Sequence, residues 1–147
     1  MDIAVLRNKA NDGNVAAQTI LGICYLDGID VEADYHEALR LLSAAAGSGA
    51  SRAMLNLARI HSEGLGTAKN LPEAIRLYEA AAKAGEFSAQ IALGRMYASG
   101  MDIPANPDQA RVWYSLALAQ EERLADCQEI HEAKNYVRAG RSELGDR

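Results

Sequence analysis

Apolar residues recur every three to four positions along most of the chain, and that recurrence itself repeats at a fixed offset of 36 residues without gaps. Ala17, Leu21 and Tyr25 lie four apart, on one face of a helix, and fall in register with Ala53, Leu57 and His61 and with Ala89, Leu93 and Tyr97. Gly28, Gly64 and Gly100 follow at the same place and suit the left-handed residue that ends a helix. A second apolar segment then carries Ala38, Ala74 and Ala110, a bulky pair (Leu41-Leu42, Leu77-Tyr78, Trp113-Tyr114), and Ala45, Ala81 and Ala117. Gly13, Gly49 and Gly85 separate the periods. Each period therefore predicts two antiparallel helices too small to bury their apolar faces alone, so that stability requires stacking.

The starts of the second helices are marked. Asp34, Asn70 and Asn106 are each followed three residues later by Glu37, Glu73 and Gln109, the spacing of a reciprocal capping box. Pro72 and Pro107 fall in the first turn, where a missing N–H costs nothing. The expectation is an all-α fold, a right-handed α-solenoid of antiparallel helix pairs forming one domain over residues 1–147. Its parts are an N-terminal helix (1–12), repeats at 13–48, 49–84 and 85–120, a capping helix (121–140) and a polar tail (141–147). The fourth copy is degenerate: Glu129 falls on the leucine position and Ile130 on the following glycine position, yet Leu124, Cys127, Ile130 and Val137 still share one side of a helix. A half-matching helix with a charged outer face is what a repeat array needs as a cap.

Composition narrows the class. Twenty-eight alanines and only 5% aromatic residues favour closely packed helices. A net charge of −5 gives no expectation of a nucleic-acid partner. No apolar run is long enough to span a membrane, and the N-terminus lacks the basic flank of a signal peptide, so a cytoplasmic location is expected. Cys24 and Cys127 sit almost three periods apart, on the order of 25 Å at about 8–10 Å per packed helix. Disulfide geometry tolerates about 7 Å between Cα atoms, so no internal bridge is expected.

The pattern resembles the Sel1-like repeat, a bacterial relative of the tetratricopeptide repeat. The third copy carries Ala89, Leu93-Gly94, Tyr97, Gly100, Asn106, Ala110 and Trp113; the second carries Gly64-Leu65-Gly66 and Ala81-Ala82; the first carries Leu21-Gly22, Val31 and Ala45-Ala46. Departures are Ala58 for the helix glycine, His61 for the tyrosine, and Asp30 and Asp102 where the second loop glycine belongs, each expected to alter loop geometry and not topology. The paired cysteines of the family's secreted branch are missing, so its extracellular role does not carry over. What the resemblance implies is an adaptor that organises other proteins.

Catalytic chemistry finds no support in the residues. No nucleophile motif of the Gly-x-Ser-x-Gly or Ser-x-x-Lys type is present, and Gly47-Ser48-Gly49 reads as a turn and not a phosphate loop. Cys127 and His131, four apart, supply at most half of a zinc site, and the plainer reading is a packed cysteine beside a surface histidine. His36 is expected on the surface and His61 packed and hydrogen-bonded. The recurring tyrosines and Trp113 are expected in the core and not in a ligand-stacking set. No enzyme activity, cofactor or metal is expected.

The functional signal lies between the repeated positions. The first helices of related folds line a concave groove, and their non-core positions align as Thr19, Leu55 and Ile91 and as Ile23, Arg59 and Arg95, with Arg52 one turn away. An apolar strip beside arginines suits a peptide or partner protein, acidic or bearing a C-terminal carboxylate, since guanidinium pairs bidentately with carboxylate. The plainer alternative leaves these arginines solvated or paired internally, for example with Glu63. The function expected is therefore a non-enzymatic protein-interaction module. The alternatives are an envelope- or cell-wall-associated factor, a small-ligand-binding protein, and a solenoid that self-associates through its terminal helix.

Overall fold

The computed structural model describes residues 2–120 and 128–145. Among them are eight helices and no strand: α1 (Ile3–Asn11), α2 (Val15–Asp27), α3 (Tyr35–Gly47), α4 (Ser51–Glu63), α5 (Leu71–Lys83), α6 (Phe87–Ser99), α7 (Pro107–Leu118) and α8 (Gln128–Gly145). Contacts gather the chain into two compact units, Met1–Ala84 and Gly85–Arg147, where the sequence reading expects one domain. Leu124 and Cys127 lie outside the described residues.

In the first unit α1 packs on α2, α2 on α3, α3 on α4 and α4 on α5, with a lighter contact between α2 and α4. The apolar spacing decides what is inside: Ala17, Leu21, Ala38, Leu41, Leu42 and Ala45 are all at most 4% exposed, as are Ala53, Ala74, Leu77 and Ala81. In the second unit α6 packs on α7 and α7 on α8. Its core of Ile91, Ala110, Tyr114, Ala117 and Ala133 is flanked by Tyr97, Tyr136 and Val137, so α8 is seated on the third pair through Ala133 and Val137.

Backbone chemistry is copied from repeat to repeat. The first helices end on Gly28, Gly64 and Gly100 at φ 67°, 70° and 65°, the left-handed C-cap that a Cβ disfavours. The loops close by one recurring bond: the amides of Asp34, Asn70 and Asn106 donate to the carbonyls of Tyr25, His61 and Tyr97 at 2.8–2.9 Å.

That bond corrects the capping-box expectation. Asp34 Oδ1 accepts from the amides of His36 and Glu37, and Asn70 and Asn106 accept from those of Glu73 and Gln109. The reciprocal half is not made, because the cap amides are already spent on the preceding helix. Glu37 and Glu73 turn instead to Arg40 and Arg76, at 2.8 and 2.6 Å. Asp30 takes φ 58°, the same left-handed conformation as Gly66 at 66°, so in this loop aspartate reproduces the glycine geometry it was expected to alter.

Close approach explains two helix glycines. A Cβ on Gly22 would lie 2.7 Å from Leu42 Cγ, and one on Gly94 2.8 Å from Tyr114 Cε1. The second copy has Ala58 at this place, fully buried. His61 departs from expectation: it is half-buried, but its Nδ1 is enclosed without a hydrogen-bond partner among the described residues. Nδ1 sits beside Cβ, near the backbone, whereas Tyr25 at the equivalent position carries its hydroxyl outward to accept from Arg7 at 2.9 Å. His36 is exposed, as expected.

Candidate functional site

The seven residues expected to line the groove separate into three kinds of place. Thr19, Ile23 and Arg52 meet at one cavity in the first unit, about 200 Å³, shared with Ile20, Cys24 and Ile29. Ile23 and Leu55 are half-buried. Thr19, 6% exposed, and Ile91, 2% exposed, are not the free surface positions their alignment suggested. A first helix touches both its own pair partner and the next first helix, so it buries more than one face. Ile91 accordingly joins the core of the second unit with Ala133 of α8.

The two arginines at equivalent positions are both paired. Arg59 Nη2 donates to Asp27 Oδ1 at 2.8 Å, and its Nε lies 3.6 Å from Glu63. Arg95 makes a bidentate contact with Glu132 of α8, with Nη2 at 2.7 Å and Nε at 3.0 Å from Oε2. Glu132 also accepts from the Tyr114 hydroxyl at 3.1 Å. The Arg95 hydrogen bond holds the Glu132 carboxyl below its ordinary range against a smaller opposing effect of burial. Burial, and then the Glu132 charge, push the Tyr114 phenol up, so this hydroxyl stays protonated and donates. The plainer reading of these arginines, pairing within the protein, is what the geometry has, with Asp27 and Glu132 as the principal partners and Glu63 as a weaker one.

Arg52 differs. It is exposed, in the first turn of α4, and holds no carboxylate among the described residues, whereas Arg40, Arg59 and Arg76 of the same unit each do. The cavity beside it is apolar. The Thr19 hydroxyl donates to the Val15 carbonyl at 2.9 Å and is thereby spent within α2. Cys24 is a free thiol, 2% exposed, pushed up by burial and then by the charges of Asp30 and Asp27, so it is neutral. Ile20 and Ile29 are 42% and 45% exposed. Ile20 and Ile29 were not singled out by the repeat alignment; they are large aliphatics at places where the other copies have Asn56 and Ala92, and Leu65 and Met101, respectively.

Among the described residues no three His, Cys, Asp or Glu side chains gather as a metal-binding set, and no helix is long and apolar enough to cross a membrane.

Paired helices with glycine C-caps at a fixed period, stacked through alanine-rich faces, define a helical-repeat protein. The Sel1 repeat family model matches three times, over residues 15–49, 51–86 and 87–121, and the chain belongs to that family. Each of its repeats begins two residues later than the glycine-based boundary. Among solved structures, a Sel1 repeat protein from Oxalobacter formigenes is 33% identical over 91% of this chain and 98% of its own, with a TM-score of 0.73. The protein c5321, a protective antigen present in uropathogenic Escherichia coli strains and displaying an SLR fold, is 27% identical over 96% of this chain, with a TM-score of 0.75. The present chain spans 33% of that protein's length. No curated protein matches. Sel1 repeat proteins are generally protein–protein interaction modules and are not typically enzymes.

Proposed function

We propose that this protein is an interaction module whose partner engages the first unit along the face shared by α2 and α4. The observation that carries the reading is the cavity of about 200 Å³ bordered by the exposed Ile20 and Ile29. Large aliphatics at that exposure cost a soluble surface favourable hydration, and a partner that covers them recovers about 25 cal/mol for each Å² of apolar area buried. The volume argues for a protein segment over a metabolite, since small-molecule sites run to about 300–1,000 Å³. The adaptor role fits the same surface, because a scaffold needs contact area and specificity and no reacting groups.

A photo-crosslinking side chain placed at Ile20 or Ile29 in the native cell should capture a discrete partner, and the same probe at the exposed Arg138 should not. Capture should disappear when Ile23→Asp is added. A partner captured equally from Arg138, or one indifferent to Ile23→Asp, would place the interaction elsewhere on the protein.

A further inference from the structure

We infer that the cavity between α2 and α4 selects internal peptide segments in which an aliphatic side chain is followed closely by an aspartate or glutamate, the first seated among Ile20, Ile23 and Ile29 and the second on Arg52. The inference rests on the reading of this face as the partner surface and adds its specificity.

Three observations converge on it. The half-open cleft, about 200 Å³ and lined by isoleucines, Cys24 and Thr19, whose hydroxyl is spent on the Val15 carbonyl, is predominantly apolar and has room for a branched side chain. An aliphatic anchor is therefore favoured over a polar one, which would lose its water without replacement. The second is the charge at the rim. Arg52 lines the cavity, is exposed, and holds no carboxylate among the described residues. The third is what the neighbouring charges do. Of the two acids whose charges bear on the cavity residue Cys24, Asp27 is held by Arg59 at 2.8 Å, and Asp30 makes no ion pair with Arg52 among the described residues. A planar guanidinium with its full set of donors free binds a carboxylate through two parallel hydrogen bonds, and so discriminates acid from amide at the adjoining peptide position. An acidic side chain fits better than a chain terminus, because a terminal carboxylate needs several fixed donors and the cavity lining supplies one cationic group.

The experiment is selection of a random peptide library, displayed internally on phage, against the immobilised full chain. Sequences retained by the wild type should share an aliphatic residue with an acid one or two positions later. Synthetic peptides of that consensus should lose roughly tenfold in affinity when the acid becomes its amide, and should bind more weakly as salt rises. Selection on Arg52→Glu should return lysine or arginine in place of the acid. Circular dichroism confirms folding of each variant, and Ile20→Asp, at a more exposed position, stands beside Ile23→Asp as a second disruption of the anchor. If both isoleucine variants lose the selected peptides while Arg52→Glu keeps them, the face is the partner surface and the acidic preference is overturned. If the isoleucine variants also retain the consensus, both readings fall. A library yielding nothing above the empty-phage background, or binding confined to peptides with a free C-terminal carboxylate, overturns the internal acidic motif.

Discussion

Gly94→Ala tests whether helix contact distance, and not helix propensity, dictates glycine in the repeat. On an isolated helix the change is favourable by about 1 kcal/mol. Here the new methyl would stand 2.8 Å from Tyr114 Cε1 and 2.9 Å from Cδ1 and Cζ. Comfortable carbon–carbon contact is about 3.5–4.0 Å, so the ring must retreat by roughly 1 Å. It has little freedom to do so: Tyr114 is 2% exposed, its hydroxyl donates to Glu132, and its ring centroid lies 5.1 Å from that of Tyr136. Overpacking of this kind costs about 1–3 kcal/mol, so the net effect of Gly94→Ala should be a loss of about 1 kcal/mol, and Gly94→Val should lose about 3. Urea unfolding followed by the fluorescence of Trp113, the single tryptophan, reads the second unit directly. The decisive measurement is a double-mutant cycle with Tyr114→Leu, which removes the ring. In that background Gly94→Ala should become neutral or stabilising by about 1 kcal/mol, a coupling of about 1–2 kcal/mol. Equal effects in both backgrounds would show that the glycine does not answer to Tyr114, and the close-approach argument would fail.

The capping bonds predict an asymmetry: Asp34→Ala, Asn70→Ala or Asn106→Ala should each cost about 1 kcal/mol, whereas Glu37→Ala should cost a few tenths, as measured by chemical denaturation. A full capping box would make the glutamate matter as much as the cap. Glu132 has a folded-state pKa below its ordinary value of 4.5, so its contribution is fully present above that value and fades as pH falls through the folded one. Acid titration of the thermal midpoint should therefore show a loss below about pH 4.5 that Glu132→Gln flattens, and an unchanged profile in that variant would deny the Arg95 latch its role. Asp30→Gly, which relieves a left-handed aspartate, should leave the helices intact and raise stability by up to about 1 kcal/mol. Ala133→Glu should unseat α8 and expose the core around Tyr114, giving a chain that self-associates by light scattering; a monodisperse variant of unchanged stability would contradict its role as cap.

The period made the helices, their glycine ends and the alanine-rich interior legible, because each of these is imposed on every repeat by the same packing; the seating of Val137 was legible from the apolar side of the degenerate helix. What was not legible involves positions that pair outside that register. Asp27 and Glu63 are equivalent by one period, and Arg59 holds both; Glu63, one turn away, was legible in the sequence, and a step back of one period leads to Asp27, which was not singled out. At Arg95 the position equivalent to Glu63 is Ser99, and the carboxylate comes from Glu132 on the degenerate helix, where no repeat rule applies. The pairing also changes how these arginines are tested. Reversing Arg95 to glutamate would set two acids against each other beside Tyr114, so a neutral methionine is the informative substitution at Arg59 and Arg95. Ile91 was misplaced for a related reason: helical periodicity reports the face turned to the pair partner, and the second contact, toward the next first helix, carries no period of its own.

The same logic bears on where recognition sits. Residues that repeat, such as Ala38, Ala74 and Ala110, answer to stacking and have no freedom to discriminate between partners. The lining of the α2–α4 cavity includes residues that do not repeat. Ile20 aligns with Asn56 and Ala92, Ile23 with Arg59 and Arg95, and Arg52 with Ala16 and Ser88. Nothing in the stacking of helix pairs requires isoleucine at Ile20, since the other copies manage with an amide and a methyl, and no carboxylate among the described residues holds the Arg52 guanidinium. Two aliphatics left nearly half exposed thus stand beside a solvated cation that holds no carboxylate among the described residues, at one cavity of about 200 Å³. The partner proposed for this face would supply apolar surface and negative charge together.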